Sequence, residues 1–220
     1  MDARAEVLAR VRAAQARAGA EPARAGAAPP GEVERRYRAR SDLAAGSAEA
    51  VDLLADRLVD YRAGVHRCAP RGLAGVLAAL LGGEDEVVVP PGLPAAWATA
   101  VAGTGARVRV DVPPLPHAAL DAATAVVTGA RVAIAETGVL VLDAEPDQGR
   151  RALSLVPDHH VCLVRRRQVV ATVPEAVAVL ARHPERPTTW IAGPSATSDI
   201  ELVRVEGVHG PRVLDVVVVG

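Results

Sequence analysis

Residues 65–112 read VHRCAPRGLAGVLAALLGGEDEVVVPPGLPAAWATAVAGTGARVRVDV, and this stretch decides the fold class. Val65–Cys68, Val87–Val89 and Val108–Val112 are short β-branched runs of strand character. Between them lie two helical segments, Arg71–Leu81, which stops at Gly82-Gly83, and Ala95–Ala102. Strand, helix, strand and helix in alternation call for right-handed crossovers and a largely parallel sheet.

The pattern holds on either side. Upstream, Val51, Leu54, Leu58 and Tyr61 give Ala48–Tyr61 helical spacing. Downstream, a short helix is expected over Leu120–Ala125 and a strand end at Val126–Thr128. Arg131–Ala135 and Val139–Asp143 flank Glu136-Thr137-Gly138, the pattern of a β-hairpin with Gly supplying a positive φ. Val161–Val164, Val169–Thr172 and Val213–Val219 add strands, and Pro174–Arg182 is a helix with Pro in its first turn. The fold class expected is α/β: a mostly parallel sheet flanked by helices, with a β-hairpin insertion.

The chain has 220 residues, half of them apolar, enough for a full core. Phe, Lys and Asn are absent, so Arg carries all 25 basic charges. That joint loss reads as codon bias from a GC-rich genome, since the three residue types share no chemistry. It removes lysine Schiff-base chemistry and the Gly-Lys-Ser/Thr phosphate loop, and no complete dinucleotide fingerprint occurs. A net charge of −1 gives no global case for nucleic acid or membrane binding. Residues 1–40 hold nine Arg against five acidic residues, and combine a helix-forming segment (2–18) with a Pro/Gly-rich linker (19–31). Residues 1–40 are therefore expected to form a helix and flexible linker, and residues 41–220 the α/β domain. No apolar run approaches a membrane span and no signal sequence opens the chain, so a cytoplasmic location is expected. Cys68 and Cys162 stand alone and cannot supply the four thiolates of an iron–sulfur cluster.

Several residues have the chemistry of a site. Glu136, followed by Thr137 at the hairpin tip, reads either as a base or nucleophile in a pocket or as an ordinary exposed turn. In Trp190–Pro211, WIAGPSATSDIELVRVEGVHGP, the run Trp190–Ala192 reads as the end of a buried strand. It turns at Gly193-Pro194 into Ser195, Thr197 and Asp199, and Ser198–Glu201 has capping-box spacing. A loop that opens a helix has spare N–H groups for an anion, or it is simply a well-capped start. His209 lies in a Gly-flanked turn, where it could shuttle protons or merely tie down backbone. Arg150 could present its guanidinium to a carboxylate or phosphate. Asp158-His159-His160 looks like a metal cluster, but adjacent strand residues point to opposite faces. Glu136, Ser195, Thr197, Asp199 and His209 are expected to converge on one cleft at the strand ends.

Val127–Leu142 (VTGARVAIAETGVLVL), Leu155–Val164 (LVPDHHVCLV) and the Gly-Pro-Ser-x-Thr-x-Asp-Ile-Glu run together resemble the LUD domain of the lactate utilisation protein C family. The three blocks fall in the family's order and span most of the last hundred residues; the first hundred match loosely. The resemblance implies the fold type of ribose-phosphate isomerases, glucosamine-phosphate deaminases and CoA transferases (NagB/RpiA/CoA-transferase-like). It places the family's histidine at His160, not His159. The Glu136–Gly138 turn also resembles the Glu-x-Gly turn that holds the nucleophilic glutamate of CoA transferases. A cytoplasmic part in oxidising L-lactate to pyruvate beside iron–sulfur partner proteins is implied, with the clusters on those partners and no cofactor in this chain. The expected role is an accessory subunit with a cleft for a small carboxylate or phosphate. The alternatives are a stand-alone enzyme using Glu136 on a phosphorylated or CoA-linked metabolite, and a ligand-sensing regulator of lactate metabolism.

Overall fold

The computed structural model describes residues 3–20, 37–197, 205–206 and 210–220. The chain divides into two compact units, Met1–Tyr37 and Arg38–Gly220. The first contains helix α1 (Ala3–Ala20), whose Val7, Leu8 and Val11 are exposed.

The second unit is built on six strands: β1 (Gly64–Cys68), β2 (Glu86–Val89), β3 (Arg107–Val110), β4 (Ala125–Gly129), β7 (His159–Arg165) and β12 (Val213–Val219). They form one sheet in the order β1-β12-β7-β4-β2-β3, every pairing parallel. Strands β2, β4 and β7 are almost wholly buried, as their unbroken apolar runs require in a sheet covered on both faces.

One face carries α3 (Leu73–Leu81) and α4 (Ala95–Ala102), packed through Leu73, Leu77, Trp97 and Val101 onto Val161, Leu163 and Val217. The other face carries α2 (Ala48–Asp60), whose Val51, Leu54 and Leu58 recur at helical spacing. Ser47 caps α2 by accepting from Ala50 N, worth about 1 kcal/mol. Beside it packs a second, mixed sheet of four strands ordered β8-β5-β6-β9: β5 (Val132–Ile134), β6 (Val139–Leu142), β8 (Val169–Val170) and β9 (Thr189–Ile191). Its inner residues Ala133 and Leu140 join the core under α2; its outer residues Val132, Ile134 and Val141 are covered by α6 (Val173–Leu180). Thr172 and Glu175 close a capping box at the start of α6.

Two readings move. The short helix expected over Leu120–Ala125 is α5 (His117–Asp121), which starts directly after Pro116; Ala125 is already the first residue of buried β4. Trp190–Ala192 does not end a buried strand. Trp190 and Ile191 belong to β9 at the sheet edge, where Trp190 is 44% exposed, because among the described residues only β6 pairs with it. The hairpin is present as read: β5 and β6 pair antiparallel with Ile134 opposite Val139.

Candidate functional site at the carboxyl edge of the parallel sheet

Ligands of open parallel sheets gather where the strands end. Beyond the ends of β2, β4 and β7 lies a cleft of about 620 Å³, lined by Arg131, Asp147, Gln148, Arg165, Arg167 and Arg182 among others. Gln148 is buried and its Oε1 accepts from Asp143 N at 2.6 Å, which fixes the loop that carries Asp147. Arg165 leaves the last residue of β7, lies 4.4 Å over the Trp97 ring and approaches Asp147 at 3.7 Å. Burial pushes the Asp147 carboxyl above its ordinary value, and the nearby Arg165 only partly offsets that. Arg131 is held by Asp143 and Glu145, both at 3.5 Å. Arg167 and Arg182 have no hydrogen-bond or ion-pair partner among the described residues, so two guanidinium groups at the cleft remain uncommitted.

The described residues singled out from sequence are dispersed. Glu136 is at the hairpin tip, where Arg38 grips both carboxylate oxygens at 2.6 and 2.8 Å and Glu136 N donates to Ala171 O. Thr137 has a buried hydroxyl without a partner among the described residues. Gly193, Pro194 and Ser195 line a separate groove of about 350 Å³ with Arg151, Ser154, Trp190 and Pro211; Glu136 is not in its wall. Ser195 N donates to Pro211 O at 2.8 Å, which places this groove by the residues that lead into β12, at the amino edge of the parallel sheet. The hairpin and this turn still meet one structure, the last turn of α2. Gly138 (φ +63°) and Gly193 (φ +84°) lie so close to Arg57 and Tyr61 that a Cβ would stand 2.8 and 2.7 Å from theirs, and their left-handed backbone suits Gly alone.

Ala196–Thr197 (β10) pairs antiparallel with Val205–Glu206 (β11), so Thr197 sits in a ribbon strand. Asp199, His209 and the Ser198–Glu201 capping box lie outside the described residues. Arg150 commits its fork to Asp111 at 2.8 and 3.0 Å and also donates to Leu115 O, tying the loop after β3. His160 is a fully buried core residue: Thr128 Oγ1 stands 2.8 Å from its Nε2, Nδ1 has no partner, and burial drives its pKa down to about 4.

The sequence reading set His159 aside, yet His159 is the centre of a hydrogen-bonded chain. Its Nδ1 lies 2.9 Å from Glu84 Oε1 and its Nε2 2.9 Å from Asp215 Oδ2, while Asp215 Oδ1 lies 2.8 Å from His66 Nε2. An imidazole with a carboxylate on each nitrogen must donate from both, which favours the cation. Burial alone would lower the His159 pKa; the bonds to Asp215 and Glu84 outweigh it and hold the pKa above its usual value. Asp215 is held low by the same partners against its own burial. Gly64 opposite is required by space, since a Cβ there would overlap Asp215 Oδ1. The signal that could have revealed this chain is polar residues at inward positions of apolar strands. Among the described residues no group of three or more His, Cys, Asp or Glu is placed to hold a metal ion, and no helix is long and apolar enough to cross a membrane.

A sequence model of the LUD domain matches residues 117–219, which carry every cleft residue named above. The lactate utilization protein C of Deinococcus radiodurans is 53% identical over 175 residues, covering 79% of this chain and 81% of that protein. The chain belongs to the lactate utilisation protein C family. Within that family, the Bacillus subtilis lactate utilization protein C is 32% identical over 91 residues, 39% of this chain and 38% of that protein. A crystal structure of a DUF162-family protein from Deinococcus radiodurans superimposes with a TM-score of 0.67 at 45% identity, covering 79% of this chain and 98% of that one. His159 and Asp215 fall inside the LUD match, whereas His66 and Glu84 precede it.

Proposed function

We propose that this LUD-domain protein serves L-lactate oxidation as an accessory subunit, holding a small carboxylate in the carboxyl-edge cleft and docking to partners that carry the iron–sulfur clusters. The pathway rests on the family and on the names of its relatives. The site rests on one observation: Arg167 and Arg182 line a cleft with no partner of their own among the described residues, next to the Asp147–Arg165 pair. A guanidinium fork accepts a carboxylate through two charge-assisted bonds. Asp147, kept protonated to a higher pH than a free carboxyl, could donate to a carboxylate or accept from a hydroxyl beside it. Action through Glu136 finds no comparable support, because its carboxylate is spent on Arg38 at an exposed tip.

The test is a calorimetric titration of lactate and of pyruvate into the full chain at constant ionic strength, with sodium chloride as the blank. Saturable binding is expected, weakened about tenfold in Arg182→Ala, the loss of one charged hydrogen-bond partner. Equal affinity in the variant removes the cleft from the proposal. Tagged protein that recovers no iron–sulfur protein from lactate-grown cells of its host removes the accessory role.

A further inference from the structure

A second cavity, of about 450 Å³, opens where β1, β12 and β7 end, with Gly46, Pro70, Trp97, Arg165, Arg166 and Arg167 in its wall. It differs in charge from the neighbouring cleft. The cleft mixes arginines with Glu145 and Asp147; the second cavity has three successive arginines and no acidic side chain in its lining, which Val219 and Gly220 complete. The backbone is built to hold them there. Arg166–Gln168 forms a single 3₁₀ turn, and Gln168 Oε1 accepts from Arg165 N at 2.8 Å to close it. Arg165 is steadied on the Trp97 ring, and Arg166 Nε donates to Gly46 O at 2.5 Å, leaving its terminal nitrogens free of any bond among the described residues. Arg167 has no partner among them at all. Three like charges gathered by one turn repel one another, and among the described residues the one acidic side chain that pairs with any of them is Asp147, on the cleft side.

The chemistry of the missing counter-charge follows from the number of forks. One carboxylate saturates one guanidinium, whereas a phosphate monoester has three non-bridging oxygens and up to two negative charges, enough for two or three. We propose that this cavity is a phosphate site, contiguous with the small-anion cleft through Arg165 and Arg167, which line both. The pair of cavities then fits a phosphorylated molecule whose phosphate lies among Arg165–Arg167 and whose acidic body reaches into the cleft. The proposal does not need the lactate reading, since Arg166 lines the second cavity and not the cleft.

Each cavity has an arginine the other lacks, Arg166 in the second and Arg182 in the first, and this makes the test selective. Inorganic phosphate is titrated into the full chain at fixed ionic strength, with acetate as the single-carboxylate probe and chloride as the blank. Saturable phosphate binding is expected, weakened about tenfold or more in Arg166→Ala with acetate affinity unchanged, and unaffected by Arg182→Ala. Because Arg166 also holds Gly46, Arg167→Ala serves as the second variant; it breaks no bond among the described residues and should weaken both probes. A phosphate ester of a small acid binding more tightly than inorganic phosphate would identify the two-part ligand; equal affinity would leave free phosphate as the occupant. Absence of phosphate binding, phosphate affinity unchanged in folded Arg166→Ala or Arg167→Ala, or loss only in Arg182→Ala would each overturn the proposal. Loss of acetate binding alone would count against the lactate reading and leave the phosphate site standing.

Discussion

The two edges of the parallel sheet handle charge in opposite ways. At the amino edge, Glu84, His159, Asp215 and His66 are strung across β7, β12 and β1, each carboxylate facing an imidazole. At the carboxyl edge, Arg167 and Arg182 have no partner among the described residues, and Arg165–Arg167 share one cavity wall without an acidic side chain. The first edge is finished by the fold; the second is left for a ligand to finish. A cluster of titratable groups is therefore not a site by its density alone. What matters is whether the protein has already supplied the counter-charges.

The sharpest way to break this contrast is to unstring the amino edge. Asp215→Ala leaves His66 without a carboxylate and His159 with Glu84 alone, and should cost about 3 kcal/mol in urea unfolding, the low end for a broken buried pair. A cost under about 1 kcal/mol would mean that the chain is solvated rather than structural. The next largest effect separates the two adjacent histidines by pH. His160 has a folded pKa of about 4, below its unfolded value, so its contribution is lost as pH falls from 6.5, by about 2 kcal/mol at pH 5. His159 has the opposite sign: its raised pKa gives stability that is full below the unfolded value and lost as pH rises through the folded one. Stability should peak near the unfolded histidine pKa of about 6.5. His160→Gln should flatten the acid limb between pH 6.5 and 5 and leave the alkaline limb intact; an unchanged acid limb would refute the assignment. The smallest effect compares two arginines at the carboxyl edge. Arg150→Ala should lose about 1.5 kcal/mol, because it strands the Asp111 carboxylate, whereas Arg167→Ala should stay within about 0.5 kcal/mol. Equal costs in thermal melts would erase the distinction between committed and open cations.

The fold was legible where period and length left one reading. Val87–Val89 is apolar without interruption and Val213–Val219 is broken only by Asp215, and both are strands of the parallel sheet. The hairpin showed in two β-rich runs around the Glu136–Gly138 turn. Trp190 misled because an apolar edge strand has the composition of a buried one, and only pairing tells them apart. The helix before β4 was misplaced because Ala122–Ala125 suits a helix by propensity, yet Ala125 is taken by the sheet. The site was far less legible. Glu84, His159, Asp215 and His66 are spread over 150 positions, and only the parallel register brings them together. The Arg165–Arg167 run carried little information in a chain whose every basic residue is Arg apart from histidine. Glu136 stood out locally, but its partner, Arg38, is 98 residues away.

Strand β12 sits between β1 and β7, although those two are made much earlier in the chain. During synthesis, a nascent chain that has reached residue 212 owns five strands of the sheet and no means of joining β1 to the other four. Two rows of unpaired backbone groups stay open until the final strand arrives, each a template for pairing with another chain. The closing strand is nearly pure valine, with Asp215 its only charge. The order of translation thus leaves the most aggregation-prone joint of the sheet to be made last, and a nonsense codon just before residue 213 would yield a sticky fragment rather than a shortened domain.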